Sequence, residues 1–248
     1  MVVSATLYRT FLSCPQQALG RLQGTYGPDS VPGFKGSLAH RLFARHLRDG
    51  EIPQSEVANA CRAEIGSGLN AKLGSLGLTK PSQLAPIIAE VGDLYARFKR
   101  FPIDGFRAAE VELTPEPANG LVLRGTVDAI FDEPGGGVRI VDWKTGSQLE
   151  GSSIQLEFYS LAWACDRGEL PRKAVAISVA TGEQLEIEPT EERALATAQT
   201  VVELIGLARA AFASGDDLER RGGPHCRYCP LLETCSEGEA AVRLASVG

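Results

Sequence analysis

The stretch from residue 121 to residue 146, LVLRGTVDAIFDEPGGGVRIVDWKTG, constrains the fold of this chain more than any other. Residues 121–131 and 138–143 are rich in β-branched side chains that alternate with others, which predicts two strands. The Glu-Pro-Gly-Gly-Gly segment between them predicts a tight turn. A β-hairpin centred on Gly135 is therefore expected near the middle of the fold.

This predicted hairpin concentrates charge on one face. Centring the turn on Gly135 places Asp128 directly across from Asp142, with Cβ atoms about 5 Å apart. Lys144 lies two residues beyond Asp142 and shares its face. Like charges placed opposite each other are unfavourable, so the face is either solvated and loosely paired, or it binds a metal. The apolar flanks favour the second interpretation, and carboxylates without nearby His or Cys indicate Mg²⁺ or Mn²⁺.

Composition sets broad limits on the protein. The 248 residues allow one large domain or two small ones, and 44% hydrophobic with 23% charged residues is typical of a globular protein. The net charge of −6 gives no global attraction for nucleic acid, although a local basic groove can still bind it. Without a long apolar run or a leader pattern, we expect a cytoplasmic protein with no membrane partner and no disulfide framework.

The rest of the chain predicts helices and strands in an α/β order. The expected helices are residues 4–22 with a break at Pro15, 36–48, two or three segments over 54–100, 152–166 opened by Ser152-Ser153, and 190–212. The expected strands besides the hairpin are residues 106–113, 174–180 and 184–188. This order predicts a sheet that begins antiparallel and contains one later crossover.

Spacing within these elements gives further candidates. Arg41, Arg45 and Arg48 form one stripe on the second helix, either a solvated face or a phosphate-facing one. Glu110 and Glu112 share one face of the strand before the hairpin, and either one can join its carboxylates. On the helix after the hairpin, Gln155 and Tyr159 are four residues apart and share a face.

A cysteine cluster near the C-terminus is the second strong signal. Cys226 and Cys229 have CxxC spacing, and Cys235 follows within the same turn-rich segment. A tetrahedral zinc site or an iron–sulfur cluster needs four ligands, so a fourth must come from elsewhere. The candidates in the sequence are Cys14, Cys61, Cys165 and His225.

Cys14 is the best candidate for the fourth ligand. It stands at a predicted helix break and precedes Pro15, much as Cys229 precedes Pro230. Cys61 and Cys165 lie inside apolar helical patterns, which are typical of core thiols. Four ligands divided between Cys14 and the C-terminal segment would connect the two ends of the chain, whereas spacing alone does not decide between zinc and iron–sulfur.

Five segments, in this order, resemble one known family. They are SATLYRTFLSCP with Cys14, GSLAHRLF with His40, the hairpin motifs GTVDAIF and VDWKTG, QLEFYSLAW, and CRYCPLLETC. Together they are similar to the RecB-type nucleases of the PD-(D/E)xK superfamily, in the branch with an iron–sulfur cluster. That branch includes the nuclease domain of the AddB helicase–nuclease subunit and the CRISPR-associated exonucleases of spacer acquisition.

The resemblance implies an α/β, restriction-endonuclease-like core, a central mixed sheet flanked by helices. It implies one nuclease domain over residues 1–248, with a helical insert at about 51–103 and a nuclease core at about 104–215. A cluster-binding segment at 222–240 would be joined to Cys14. Cys14, Cys226, Cys229 and Cys235 would then hold an iron–sulfur cluster of the 4Fe-4S type, with zinc as the alternative.

The resemblance also implies an activity and its residues. The family hydrolyses phosphodiester bonds in DNA with Mg²⁺ or Mn²⁺. The implied metal ligands are His40, Asp128, Asp142, the backbone carbonyl of Trp143, and Glu110, for which Glu112 is the alternative. The implied catalytic side chains are Asp128, Asp142, Lys144, Gln155 and Tyr159.

The implied substrate is DNA that is single-stranded or has a free end, digested by an exonuclease in DNA repair, recombination or CRISPR spacer acquisition. Arg41, Arg45, Lys99 and Arg100 are candidate contacts to the DNA backbone. The chain lacks a GxxxxGK[ST] motif, so a helicase or a CRISPR adaptation protein would be a separate partner. The alternative function is a catalytically silent DNA-binding module or a zinc-stapled structural subunit of a larger DNA-processing complex.

Overall fold

The computed structural model describes residues 1–246. Its helices are α1 Ala5–Ser13, α2 Pro15–Leu22, α3 Val31–Asp49, α4 Val57–Glu64, α5 Pro81–Phe98, α6 Ser152–Arg167, α7 Glu191–Ser214 and α8 Ser236–Ala245. Its strands are β1 Val2–Ser4, β2 Phe106–Leu113, β3 Val122–Asp132, β4 Val138–Lys144, β5 Lys173–Ser178 and β6 Gln184–Ile187. A π turn and short 3-10 turns fill the segments between α4 and α5 and before α8.

One mixed sheet contains all six strands. Its hydrogen-bonded path is β1-β3-β4-β5-β6, and β2 pairs with β3 outside that path. The β2–β3, β3–β4 and β5–β6 pairs are antiparallel, whereas β1–β3 and β4–β5 are parallel. Helix α6 provides the crossover between β4 and β5, as a parallel pair requires. The predicted mixed sheet flanked by helices is therefore confirmed.

Alternate residues of the central strands face two separate cores, because side chains on a strand alternate between its faces. One face packs under α3, α4 and α5, with Phe131, Val141 and Trp143 from the sheet. The other packs under α1, α6 and α7, with Ile130 and Ile140 from the sheet. Such double-sided burial explains why β4 reads as an almost continuous apolar run.

The structure corrects two local expectations. The N-cap of α6 is Gly151 in the left-handed conformation, with no side-chain cap, and Ser152 is the first helical residue. The short strand β1 was not predicted, because its three residues merge into the helical pattern that follows. It pairs with β3 from Val122 to Arg124 and so fixes the N-terminus beside the hairpin.

Helix α7 is the one element in residues 1–246 that is long and apolar enough to cross a membrane. Its best 18-residue window has a mean hydropathy of 1.3, and 33% of that window is buried. Val201, Leu204 and Ile205 pack into the core shared with α1 and α6. A core helix passes the same test of length and composition, so the hydropathy of α7 is weak evidence for a membrane span.

Candidate active site

Three carboxylates line up across three neighbouring strands. The β2–β3 register pairs Ala109 with Ala129 and Val111 with Val127, which places Glu110 opposite Asp128. The β3–β4 register pairs Ala129 with Val141, and one further step places Asp128 opposite Asp142. Opposed acids in a sheet repel each other unless a cation or a donor lies between them.

Glu110 has an unusual backbone conformation. Its φ is 54°, and it is the one residue other than glycine with positive φ in residues 1–246. A side chain in this left-handed region costs on the order of 1–3 kcal/mol, and such strain clusters at functional sites. Glu112, the alternative predicted from sequence, pairs with Thr126, two residues before Asp128 on β3, and lies outside the carboxylate row.

His40 of α3 completes a potential metal site with two of these acids. Ligand atoms of His40, Glu110 and Asp128 all lie within 4.8 Å of one another. His40 Nδ1 is 3.0 Å from Asp128 Oδ1, while the Trp143 amide donates to Asp128 Oδ2 at 2.7 Å. Burial lowers the pKa of the His40 imidazole, but the Asp128 carboxylate outweighs burial and raises the pKa to about 9.

A hydrogen-bonded network occupies the other side of the carboxylate row. Lys144 Nζ donates to Gln155 Oε1 at 2.7 Å. Gln155 Nε2 donates to Tyr159 Oη at 2.7 Å and to Asp142 Oδ1 at 3.2 Å. Gln155 and Tyr159 lie one turn apart on α6, so one helical face joins the lysine, the tyrosine and the aspartate.

Asp142 is a buried carboxylate held between Lys144 and Gln155. Burial raises its pKa to about 6, and the charge of Asp128 adds to that effect against the opposing charge of Lys144. Lys144 Nζ lies 2.6 Å from Asp142 Oδ2, an ion pair by distance. The ammonium is therefore the partner of this buried oxygen, while Gln155 is the partner of Oδ1. Two buried acids on adjacent strands, Asp128 and Asp142, offer the oxygen ligands that a hard divalent cation prefers.

Trp143 supports the site through both its side chain and its backbone. Its indole contacts Phe98 and Phe101 with ring centroids 5.0 and 5.6 Å away. Its amide fixes Asp128, as described above. Packing of the indole in the helical core therefore holds the backbone between Asp142 and Lys144 in place.

Gly125 is a functional position that the sequence analysis did not single out. A Cβ added there would lie 2.9 Å from Tyr159 Cε1, and the tyrosine ring is buried. Glycine on β3 thus allows α6 to bring Tyr159 against the sheet. The glycine of the GTVDAIF motif was a usable signal, because glycine inside a strand indicates close approach of another group.

The carboxylate site opens into a cavity of about 520 Å³. Arg41 and Lys72 line it with His40, Glu110 and Asp128. Of the other predicted backbone contacts, Arg45 and Lys99 lie outside this lining, and Lys99 is paired with Glu51 at 2.7 Å. Arg100 lines a separate cavity with Phe101.

The predicted cysteine ligands line one cavity of about 200 Å³ between the two ends of the chain. Its cysteines are Cys14, Cys226, Cys229 and Cys235. The amides of Gly223 and Gly238 donate to Cys226 Sγ at 3.4 Å and to Cys235 Sγ at 3.3 Å. The same two amides would hydrogen-bond to the sulfurs of a metal site held there.

The other fourth-ligand candidates have different surroundings. Cys61 is fully buried in the core under α3 to α5, as predicted, whereas Cys165 is exposed on α6, so its prediction as a core thiol was wrong. His225 lines the cysteine cavity, with Nε2 3.1 Å from the Arg221 carbonyl oxygen. Among these candidates Cys14 is the one cysteine that joins the C-terminal three in the cavity.

Comparison with solved structures supports the fold. The chain resembles a solved structure named "Putative exonuclease" from Eubacterium rectale, with a TM-score of 0.59 and 14% identity over 93% of this chain and 86% of that one. It also matches the structure of SSO0001 at 19% identity over 82% of this chain and 98% of that one, but the TM-score of 0.40 carries no argument. No curated protein sequence matches.

The family comparison covers almost the whole chain. Residues 2–236 match the model of the PD-(D/E)XK nuclease superfamily. The match includes β2, β3 and β4 with their carboxylate row, and helix α6 with Gln155 and Tyr159. The chain belongs to the PD-(D/E)XK nuclease superfamily.

Proposed function

We propose that this protein is a Mg²⁺- or Mn²⁺-dependent deoxyribonuclease that digests single-stranded or free-ended DNA as an exonuclease. The row formed by Glu110, Asp128 and Asp142, with Lys144 ion-paired to Asp142, carries the proposal. Membership of a nuclease superfamily whose enzymes hydrolyse phosphodiesters with divalent metals supports it. The alternative, a catalytically silent DNA-binding module, is disfavoured because every charged member of this row is present.

The residues that would hold the metal are His40, Glu110, Asp128 and Asp142, with the Trp143 carbonyl. Bound there, Mg²⁺ or Mn²⁺ would supply Lewis acidity to the scissile phosphate and lower the pKa of a nucleophilic water. His40 would hold the metal as a neutral imidazole, so binding would release the proton held beside Asp128. Glu110 and Asp128 offer oxygen ligands already brought together by the strand register.

Lys144 acts on the nucleophile and on the developing charge. Its ammonium is held between Asp142 and Gln155, at 2.6 and 2.7 Å. In this position it orients the attacking water or accepts its proton after losing one, and it offsets negative charge on the phosphate. Gln155 fixes the lysine by accepting one hydrogen bond from it.

Tyr159 is suited to hold a phosphate oxygen. Burial raises the pKa of its phenol, followed by the charge of Asp142, so the hydroxyl keeps its proton. Its oxygen already accepts from Gln155 Nε2 at 2.7 Å, which leaves the hydroxyl proton free to donate. We assign Tyr159 to phosphate binding on this basis.

We infer that the cysteine cavity holds an iron–sulfur cluster of the 4Fe-4S type with a structural role. The support for iron–sulfur over zinc is the order of the sequence motifs, which resembles the iron–sulfur branch of the family.

The setting that we propose is DNA repair, recombination or CRISPR spacer acquisition in the cytoplasm. Its support is the order of the sequence motifs. A helicase or an adaptation protein would then be the partner chain, because residues 1–248 contain no Walker A motif.

The decisive experiment compares Lys144→Ala with Lys173→Ala, a lysine on β5 that is paired with Glu186 outside the site. End-labelled single- and double-stranded DNA is incubated with Mg²⁺, with Mn²⁺ or with EDTA. We expect wild type and Lys173→Ala to cleave only with metal, and Lys144→Ala to lose cleavage while keeping its melting temperature. Cleavage by Lys144→Ala at the wild-type rate would overturn the site assignment.

Circular single strands test the need for a free end. An exonuclease degrades a linear oligonucleotide and leaves its circular form intact. Cutting of the circle at a rate similar to the linear strand would show an endonuclease at the same site.

A further inference from the structure

A further cavity, of about 670 Å³, is lined by the start of β3 and the C-terminal end of α7. We call it the basic groove and define it by five of its lining residues: Arg21, Tyr26, Arg124, Arg209 and Phe212. They come from α2 and the loop after it, from β3 and from α7. No residue of the carboxylate row or of the cysteine cavity lines this groove.

The groove is positively charged in a chain whose net charge is −6. Its lining includes three arginines and no acidic residue. Within residues 1–246 Arg21, Arg124 and Arg209 make no ion pair and donate no side-chain hydrogen bond. Arg21 Nε is buried and has no hydrogen-bond partner. Buried donors are normally satisfied, so this surface is suited to an anionic ligand.

Two aromatic rings stand open next to the arginines. Tyr26 is 65% exposed and Phe212 is 48% exposed. Arg21 Cζ lies 5.8 Å from the centre of the Tyr26 ring, which is a cation–π distance. Cationic side chains that follow a phosphate backbone, with aromatic rings on which bases stack, are the elements of single-strand recognition. A duplex keeps its base faces stacked inside and cannot use the rings.

Strand β3 contributes residues to both the groove and the active-site cavity. Arg124, Thr126 and Asp128 occupy alternate positions along the strand. Arg124 lines the groove, while Thr126 and Asp128 line the active-site cavity. Four residues at about 3.4 Å each separate Arg124 from Asp128, roughly 14 Å along the strand.

We propose that the basic groove binds a single-stranded segment of the nucleic acid substrate and leads it along β3 to the carboxylate row. The second part of this proposal, that the bound strand is led to the carboxylate row, rests on the proposed nuclease function. Arg21, Arg124 and Arg209 contact phosphates, and Tyr26 and Phe212 stack on bases. The substrate class is thereby single-stranded nucleic acid, or duplex with a single-stranded end.

The test measures binding without cleavage. Fluorescein-labelled oligothymidylate is titrated with the full chain in EDTA at several salt concentrations, and binding is followed by anisotropy. Phe212→Ala should weaken binding about fivefold or more, by loss of stacking. Arg209→Ala should weaken it and reduce the salt dependence of log K by about 0.7. Wild-type affinity in both variants would overturn the proposal.

Controls separate the groove from general charge and from folding. Arg193→Ala removes an arginine from the same helix outside the groove and should bind like wild type. Both groove side chains tested are exposed, so melting temperatures should be unchanged. Blunt duplex is the second ligand: Phe212→Ala should leave its affinity unaltered. An equal loss for duplex and single strand would contradict base stacking and overturn the proposal.

Cleavage assays on the same proteins distinguish the two proposals. Groove-dependent binding by a protein that cleaves nothing would support the groove and overturn the nuclease assignment. Metal-dependent cleavage by a protein whose binding does not depend on the groove would support the nuclease assignment and overturn the groove proposal.

Discussion

Glu110 joins backbone strain to ligand chemistry in one residue. Its φ of 54° is unfavourable for any residue with a Cβ, yet it sets the carboxylate beside His40 and Asp128. Partial burial of the carboxyl group raises its pKa, and the charge of Asp128 adds to that effect, although the residue as a whole is exposed. Strain and repulsion are expected costs at a site where a cation is to bind.

Two substitutions of Glu110 separate its backbone strain from its role as a metal ligand. Glu110→Gly should be more stable than Glu110→Ala by about 1 kcal/mol, because glycine adopts positive φ without strain. Both should bind Mn²⁺ more weakly than wild type, since both lose a ligand oxygen. Chemical denaturation measures the first effect and calorimetric Mn²⁺ titration the second. Equal stability of the two variants would contradict the strain.

His40 gives the metal-free protein a pH dependence. Its folded-state pKa is raised from 6.5 to about 9, so protonated His40 stabilises the fold. This contribution is complete below pH 6.5 and is lost as pH rises through 9. It is at most about 3 kcal/mol, and less because the side chain is 28% exposed.

We therefore expect the free energy of unfolding in EDTA to fall between pH 6.5 and 9. In His40→Gln this part of the decrease should be absent. Urea denaturation at several pH values provides the measurement. A parallel decrease in both proteins would show that His40 does not contribute.

Helix α6 and strand β3 form the active site through one close contact. Tyr159 packs on Gly125 because no Cβ stands between them. Gly125→Ala should force the buried ring to move, at about 1–3 kcal/mol of stability, and disturb the Tyr159–Gln155 hydrogen bond. We expect kcat to decrease more than stability alone explains, as nuclease assays at low temperature would measure.

Two comparisons isolate that contact. Gly206→Ala makes the same change where no atom lies within 4 Å, so it should preserve activity. In a Tyr159→Ala background, Gly125→Ala should lose most of its cost in stability. A cost that persists without the tyrosine ring would assign the effect to the strand itself.

The elements that sequence predicts well are those with a clear local period. Strand β2 matches its expected bounds, and β3, β4 and α6 differ from theirs by a residue or so, because alternation and helical spacing are local. Centring the turn on Gly135 also gave the β3–β4 register correctly. Local patterns do not predict features that distant segments create together. Three such features are the backbone conformation of Glu110, the contact at Gly125 and the basic groove.

At the scale of the whole molecule, the N-terminal helices and the C-terminal segment are joined near Cys14. The Gln16 amide donates to the Glu219 carbonyl at 3.0 Å, and the Leu218 amide donates to Gln16 Oε1 at 2.6 Å. Arg221 Nη1 also donates to the Leu12 carbonyl at 3.2 Å. These bonds bring Cys14 to the cavity lined by the three C-terminal cysteines.

A cluster bound by Cys14 would close a loop of most of the chain. Such a closure stabilises mainly by restricting the unfolded state, and the effect grows slowly with loop length. Cys14→Ser should therefore lose the cluster and lower the melting temperature by several degrees, at about 2–4 °C per kcal/mol for a chain of this size. Cys165→Ser changes an exposed thiol outside the cavity and should alter neither.

Iron, sulfide and zinc are quantified in protein purified without oxygen, alongside thermal melts of the three proteins. Iron and sulfide in wild type and in Cys165→Ser, but not in Cys14→Ser, would support the cluster. One zinc ion per chain in wild type would refute iron–sulfur. A melting temperature in Cys14→Ser equal to that of wild type would refute stabilisation by the loop closure. Since Cys14 lies far from the carboxylate row in sequence, any loss of nuclease activity in Cys14→Ser should follow its loss of folded protein, which melting at the assay temperature measures directly.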